Sequence, residues 1–320
     1  MRPFQPLVTN PHILTILGNF WPRDFDFARF PMEQRLIRTD SETQVLVQTQ
    51  HPIGPAIGEV TLIHGLEGAG DAGYIVSMAW TALNAGFTVH RFHMRTCGGT
   101  EKLCRTLYHG GLTSDLRTFL QQSPSGLPGF LIGFSLGGNV SLKLAGELGE
   151  TDLIHGVCSI SAPIDLGAAA RRIGERDNFL YQKRFVARMK QRVIATGLYT
   201  AADLAPYRTL YEIDDKITAP SFGFGTADNY YATQSSVNVL DRIRVPALAI
   251  AAKDDTFIPF EMYGHPAFSS HPFLRLNAPE HGGHLGFLAR NPPRFWADEI
   301  AIGFLTEIAQ TFRQRTLTST

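Results

Sequence analysis

The chain alternates between short apolar segments and stretches in which apolar residues recur at helical spacing. EQRLIRT and TQVLVQTQ, with DSE between them, predict a hairpin of two early strands. Each later strand-like segment is followed by a turn and a helical pattern, as in parallel sheets with helices on both faces. We therefore predict an α/β fold with a mainly parallel sheet of about eight strands. The predicted strands after the hairpin are GEVTLIHG, FTVHRFH, GFLIGFS, IHGVCSIS, VPALAIAA and PFLRLNAP.

This alternation stops between Pro163 and Ile243. No buried strand pattern occurs there, but NFLYQKRFVARMKQRVI predicts an amphipathic helix with one apolar and one basic side. We expect a core of residues 1–162 and 244–320, with residues 163–243 inserted after the sixth strand as a helical cap or lid. The balanced total charge favours a solvated surface for the basic side of the helix.

The two ends of the chain have different patterns. Residues 1–30 combine prolines with no clear period, so we expect an irregular N-terminal arm. A final helix is predicted from about Pro292, capped by Asn291, with Trp296 and Ile300 among its inward-facing residues.

Composition narrows the class of protein. The 320 residues are 44% hydrophobic and 18% charged, which is enough for a sizeable core. The net charge of +0 gives no overall field that would attract nucleic acid, so we expect no nucleic-acid partner. Cys97, Cys104 and Cys158 lack the spacing of a disulfide framework or a metal site, which fits a reducing, cytoplasmic location. We find no signal-peptide pattern and no run of about 20 apolar residues, so we expect no integral membrane segment.

One serine lies in a glycine-rich turn between a predicted strand and a predicted helix. Gly133-Phe134-Ser135-Leu136-Gly137 fits the G-x-S-x-G pattern of a nucleophile elbow, which requires this strand-to-helix context. Such a turn strains the serine backbone and exposes its oxygen at the end of the sheet. Ser135 is therefore the predicted nucleophile.

A serine nucleophile needs a base, and the base needs an acid that orients it. In folds with this elbow the chain order is serine, acid, histidine. ALAIAAKDDTFIP places Asp254 and Asp255 after the seventh predicted strand, and NAPEHGGHLGF places His281 and His284 after the eighth. Adjacent residues that leave a strand point in opposite directions, so one aspartate of the pair is expected to face a histidine.

Two backbone amides are candidates for stabilising an oxyanion. The first is the N–H of Leu136, directly after the predicted nucleophile, and the second is the N–H of Leu66 in the loop after the third strand. Gly65 allows that loop to approach the serine, and His64 is expected to have a structural role.

Together these motifs resemble a known family. NPHILTILGNFWP, LIHGLEG, GFSLGGN, SAPIDL, YYATQSS, AAKDDTFIP and HGGHLGF are similar to the YheT-like α/β-hydrolases, which are related to animal esterases and lipases of the ABHD group. The resemblance runs from about Asn10 to Phe304. It implies the α/β-hydrolase fold, Asp255 as the acid and His284 as the base. This chain reads Arg95-Thr96-Cys97-Gly98-Gly99 where relatives commonly read R-G-C-G-G.

The residues and the resemblance together predict a serine carboxylic-ester hydrolase with a Ser135, His284 and Asp255 triad. This chemistry requires no metal and no organic cofactor. The same acyl-enzyme could serve an alcohol O-acyltransferase or a thioesterase, while a non-catalytic binding protein would not need the complete set of three side chains. No elbow surrounds Cys97, and HGGH lacks the spacing of a zinc-binding helix, which argues against a thiol nucleophile and a zinc site.

The expected partner is a small-molecule ester with an apolar acyl group. SFGFGTADNYYATQSS, near the end of the predicted cap, is aromatic and glycine-rich and has no clear helical or strand period. We expect Phe222, Phe224, Tyr230 and Tyr231 of this segment to form a wall of the acyl pocket.

Overall fold

The computed structural model describes residues 3–318, in which eight strands form a single sheet. The order across the sheet is β1-β2-β4-β3-β5-β6-β7-β8. Strand β2 runs antiparallel to both of its neighbours, and the remaining pairs are parallel. This confirms the predicted α/β fold and its strands. The strands are β1 Met32–Asp40, β2 Thr43–Gln50, β3 Gly58–Ile63, β4 Phe87–Phe92, β5 Gly129–Phe134, β6 Gly156–Ile160, β7 Ala247–Ile250 and β8 Leu274–Asn277.

Helices cover both faces of the sheet, which explains why the central strands are apolar on both sides. Helices α2 and α12 pack on one face, and α3 and α4 pack on the other. Within residues 3–318 no helix combines the length and apolar character needed to cross a membrane. The helices are α1 Pro11–Phe20, α2 Gly73–Asn84, α3 Ser114–Gln122, α4 Leu136–Leu148, α5 Leu166–Ile173, α6 Phe179–Ala195, α7 Ala201–Leu204, α8 Leu210–Ile213, α9 Ala219–Ser221, α10 Ala227–Gln234, α11 Ala267–Ser270 and α12 Trp296–Thr318.

The connection between β6 and β7 consists of helices and turns. Helices α5 to α10 lie within it, and α5 and α6 pack over the carboxyl end of the sheet through Leu166, Ala170, Val186 and Met189. We call residues 163–243 the cap below, and their role as a cap or lid stays a prediction.

The N-terminal arm is not irregular, contrary to our expectation. Helix α1 begins after Asn10, whose side-chain oxygen accepts a hydrogen bond from the N–H of Ile13 at 3.0 Å. Pro11 occupies the first helical position, where the missing N–H costs nothing. The Asn-Pro pair is thus a helix start signal. We did not recognise it in the sequence because the apolar residues of the arm show no clear helical spacing.

Two further expectations about local structure were wrong. The aromatic segment near the end of the cap contains helix α10, which is capped by Thr226 through a hydrogen bond from the N–H of Asn229. The final helix begins at Trp296 rather than Pro292, because the two prolines at 292 and 293 belong to the preceding turn. Its predicted inward-facing residues Trp296 and Ile300 are buried, as expected.

Candidate active site

Ser135 lies in a strained turn between β5 and α4. Its φ of 49° and ψ of −121° are rare for a residue with a side chain. A side chain at Gly133 would collide with the backbone of Gly137, and one at Gly137 would collide with the carbonyl groups of Ile63 and His64. The two glycines therefore allow the chain to turn sharply enough to expose Ser135 at the amino end of α4.

His284 and Asp255 lie beside this serine. His284 Nε2 is 3.0 Å from Ser135 Oγ, and His284 Nδ1 is 3.0 Å from Asp255 Oδ2. The side chains of His284 and Asp255 are only 8% and 1% exposed. Asp255 Oδ1 also accepts hydrogen bonds from the N–H groups of Phe257 and Ile258 at 2.8 and 3.1 Å, which fixes the carboxylate after β7.

The neighbouring Asp254 and His281 form a second pair that does not reach the serine. His281 Nδ1 is 3.0 Å from Asp254 Oδ2, and the histidine side chain is 41% exposed. Asp254 Oδ1 accepts a hydrogen bond from the N–H of Gly283 at 2.9 Å. This pair joins the loops after β7 and β8, and the two aspartates point in different directions as expected.

Leu66 and Leu136 line the same cavity as Ser135. Within residues 3–318 the N–H of Leu66 donates no hydrogen bond, and the N–H of Leu136, the first residue of α4, has no acceptor within its helix. His64 Nε2 accepts the N–H of Met94 at 3.2 Å, so its Nδ1–H donates to Gly65 O at 2.8 Å. Burial lowers the pKa of His64 to about 4, which keeps this structural histidine neutral.

Arg192 of α6 links the cap to two loops at the sheet edge. Its Nε donates to both carboxylate oxygens of Glu67 at 2.9 and 3.1 Å, and its Nη1 donates to Thr96 Oγ1 at 2.8 Å. Glu67 follows Leu66, and Thr96 lies in the loop after β4. Both residues have the positive φ that glycine favours, 55° and 61°. The Arg192 guanidinium thus holds two strained positions from the cap side.

Ser135 borders two cavities. The first, which we call the cap cavity, has a volume of about 70 Å³ and a mostly apolar wall. Its polar lining includes Asp214, and burial raises the pKa of this carboxyl group to about 6. The Tyr231 hydroxyl donates a hydrogen bond to Asp214 at 2.7 Å, which opposes this rise. The apolar wall includes Leu166, Ala170, Ile173, Phe185, Met189 and Leu210.

The second cavity, which we call the arm cavity, has a volume of about 520 Å³. It lies between α1, α6 and the loop after β3, and it contains His284 as well as Ser135. Leu66, Phe185 and Phe257 border both cavities, so the serine lies where the two cavities meet.

The four aromatic residues expected in the acyl pocket divide into two groups. Tyr230 and Tyr231 line the cap cavity. Phe222 and Phe224 do not line this cavity. Their rings pack against the ring of His109, at centroid distances of 4.5 and 5.2 Å, and His109 lines the cavity. Burial lowers the pKa of His109 to about 3, so this histidine presents a neutral ring to the cavity.

Some residues that shape the site were not predicted from the sequence. Thr15 of α1 accepts the N–H of His284 at 2.9 Å, and the Tyr74 hydroxyl accepts the N–H of Gly65 at 3.0 Å. Thr15 lies within NPHILTILGNFWP, but nothing in that segment indicates this contact, and both residues are separated in sequence from the loops they support. Arg192 was assigned to a solvated basic surface, although its side chain is only 9% exposed.

Comparisons with known proteins agree with this architecture. A family profile described as alpha/beta hydrolase fold matches residues 60–290. The esterase candidate YheT of Escherichia coli strain K12 is 29% identical over 319 residues, covering 96% of this chain and 92% of that protein. The medium-chain fatty acid ethyl ester synthase/esterase 2 of Saccharomyces cerevisiae is 26% identical over 302 residues, covering 84% of this chain but only 65% of that protein.

Among solved structures, an esterase of Pyrococcus furiosus, Pf2001, superposes with a TM-score of 0.58 at 15% identity. The match covers 97% of this chain and 99% of that chain, and at this identity it shows the fold alone. The chain belongs to the alpha/beta hydrolase family. The resemblance to YheT-like proteins that the motifs indicated is confirmed.

Proposed function

We propose that this α/β-hydrolase cleaves carboxylic esters through an acyl-enzyme formed on Ser135. The observation that supports the proposal most directly is the continuous hydrogen-bond path from Asp255 through His284 to Ser135. That path ends at an oxygen on a strained turn where two cavities meet. The esterase names of several relatives point to the same class of reaction.

In the first half of the reaction His284 accepts the Ser135 proton at Nε2 while Ser135 Oγ attacks the ester carbonyl carbon. Asp255 keeps the Nδ1–H of His284 oriented and stabilises the imidazolium that forms. The N–H groups of Leu66 and Leu136 donate to the carbonyl oxygen as it becomes negative. The bond to the alcohol oxygen then breaks, and His284 returns the proton to that oxygen.

Water completes the cycle in the second half. His284 accepts a proton from water while the water oxygen attacks the acyl-enzyme carbonyl. The bond to Ser135 Oγ then breaks, and the serine recovers its proton from His284. The cap cavity is suited to the acyl group, because its wall is mostly apolar and each buried methylene contributes about 0.8 kcal/mol.

The experiment is a series of p-nitrophenyl esters of increasing acyl length, assayed with the wild-type protein and the Ser135→Ala variant. The variant is expected to lose roughly 10³-fold or more in kcat while its melting temperature stays near the wild-type value. A Ser135→Ala variant that retains more than about a hundredth of the wild-type rate would refute the assignment.

A second candidate is transfer of the acyl group to an alcohol or release from a thioester. The arm cavity provides space beside Ser135 for a second substrate, and one relative is named both synthase and esterase of fatty acid ethyl esters. Measuring how product divides between acid and ethyl ester as ethanol is added separates transfer from hydrolysis. Comparing matched thioesters and oxygen esters tests the thioesterase.

A further inference from the structure

Helix α1 presents an exposed apolar stripe to solvent. Ile13, Ile16 and Phe20 lie three and four residues apart, which places them on one face, and Phe20 is 65% exposed. The opposite face, including Leu14 and Thr15, is buried. The helix contains no acidic or basic residue other than His12.

The first two turns of α6 combine exposed apolar and basic side chains. Leu180 is 75% exposed, and Phe179 beside it is also exposed. Lys183, Arg184 and Arg188 follow on the exposed side of the helix. The segment 179–195 contains five basic residues and no acidic residue. The whole chain has a net charge of +0, but this helix is positively charged.

The two helices meet at the arm cavity. The rings of His12 and Tyr181 stack at a centroid distance of 5.8 Å, and the Arg184 guanidinium lies 5.8 Å from the centre of the Phe20 ring. Ile16, Phe20, Leu180 and Arg184 are exposed and also line the cavity that contains Ser135. They therefore form its rim, which we call the α1–α6 rim and which also includes Phe179, Lys183 and Arg188.

We infer that the α1–α6 rim docks onto an anionic lipid surface. Ile16, Phe20 and Leu180 enter the boundary between head groups and acyl chains, and the basic residues of α6 contact anionic head groups. Aromatic and aliphatic side chains next to Lys and Arg are the combination that holds helices in a membrane interface. In this orientation the arm cavity opens toward the lipid, so an apolar molecule can reach Ser135 without crossing bulk water.

Charge complementarity favours this occupant over a second copy of the chain. Two rims brought face to face would oppose basic residues to basic residues. The acidic residues that line the arm cavity do not neutralise the rim, because Glu67 is paired with Arg192, which leaves Asp71 as one carboxylate against Lys183, Arg184 and Arg188. An apolar surface of this kind, adjacent to a cavity, is typical of an interaction site.

The test is co-sedimentation of the Ser135→Ala protein with vesicles, since this substitution removes the proposed nucleophile. Vesicles of phosphatidylglycerol and phosphatidylcholine in equal amounts should bind it, and added salt should weaken the binding. Vesicles of phosphatidylcholine alone should bind it much less. Because the assay needs no turnover, its result is independent of the proposed ester chemistry.

Three variants in this background identify the surface. Phe20→Gln with Leu180→Gln should weaken binding at least about tenfold. Lys183→Gln with Arg184→Gln should weaken it by about fivefold for each neutralised residue. The matched control is Ile53→Gln, since Ile53 is 65% exposed like Phe20 but lies between β2 and β3 at the far end of the sheet. Melting temperatures check that each variant is folded.

The inference is overturned if the Ser135→Ala protein does not sediment with anionic vesicles, or if both vesicle types bind it equally. It is also overturned if Ile53→Gln weakens binding as much as the rim variants do. A dimer in size-exclusion chromatography that the Phe20 and Leu180 substitutions dissociate would assign the rim to a second copy of the chain instead.

Discussion

The carboxyl edge of the sheet and the cap above it contribute to the site in different ways. At the sheet edge, Ser135 follows β5 directly, and Asp255 and His284 lie in the loops after β7 and β8, within hydrogen-bond distance along the triad. In the cap, residues far apart in sequence form the cavity wall, and Arg192 is one cap side chain that holds sheet-edge loops. The edge thus provides the proposed chemistry, and the cap determines the space around it.

The largest effect should separate the two histidines at the sheet edge. His284→Ala removes the proposed base and should lower kcat by about 10⁵–10⁶-fold, whereas the matched change His281→Ala should lower it less than about tenfold. Steady-state kinetics on one activated ester measure both. If both variants lost the same factor in kcat, the assignment of His284 rather than His281 as the base would be contradicted.

The next effect concerns the acid of each pair. Asp255→Asn leaves the shape of the site intact but removes the charge that orients His284, so kcat should fall about 10⁴-fold. Asp254→Asn should alter mainly thermal stability, because its partner His281 is partly exposed and does not contact Ser135. If Asp254→Asn proves the more damaging change for kcat, the assignment of the two aspartates is reversed.

The difference between the two regions also explains what the sequence could predict. The elbow around Ser135 and the order of strands, acid and histidine are local signals, because Ser135 directly follows β5 and the acid and the histidine lie in the loops after β7 and β8. Arg192 contacts Glu67, 125 residues away in sequence, so its amphipathic helix predicted only a basic surface. His109 separates Phe222 and Phe224 from the cap cavity. Because His109 lies outside the cap in sequence, the residue pattern of the cap could not indicate this contact.

A moderate effect should come from the contact between the two regions. Arg192→Lys keeps a positive charge but cannot bind both Glu67 and Thr96 as the guanidinium does. The loop that carries Leu66 should then be less well positioned, and kcat should fall about 10–100-fold with little change in KM. Lys190→Met on the same helix is the matched control. A lower melting temperature with unchanged kcat would restrict Arg192 to a structural role.

The smallest effect should occur within the cap. Ile173 lines the cap cavity, so Ile173→Ala should favour longer acyl chains by about fourfold in kcat/KM for each further methylene that becomes buried. Phe222→Ala should leave the chain-length profile nearly unchanged, because Phe222 does not line that cavity. The p-nitrophenyl ester series measures both profiles. A shifted chain-length profile in Phe222→Ala together with an unchanged profile in Ile173→Ala would place the acyl group on the Phe222 side of His109.

The central claim is that Ser135 is the nucleophile and that His284 activates it. Its most direct test is labelling with a fluorophosphonate, followed by mass spectrometry of the modified peptide. We predict stoichiometric labelling of Ser135 in the wild-type and His281→Ala proteins, and a loss of labelling in His284→Ala and Ser135→Ala. Unlabelled wild-type protein, a label on another residue, or undiminished labelling of Ser135 in His284→Ala would contradict the account.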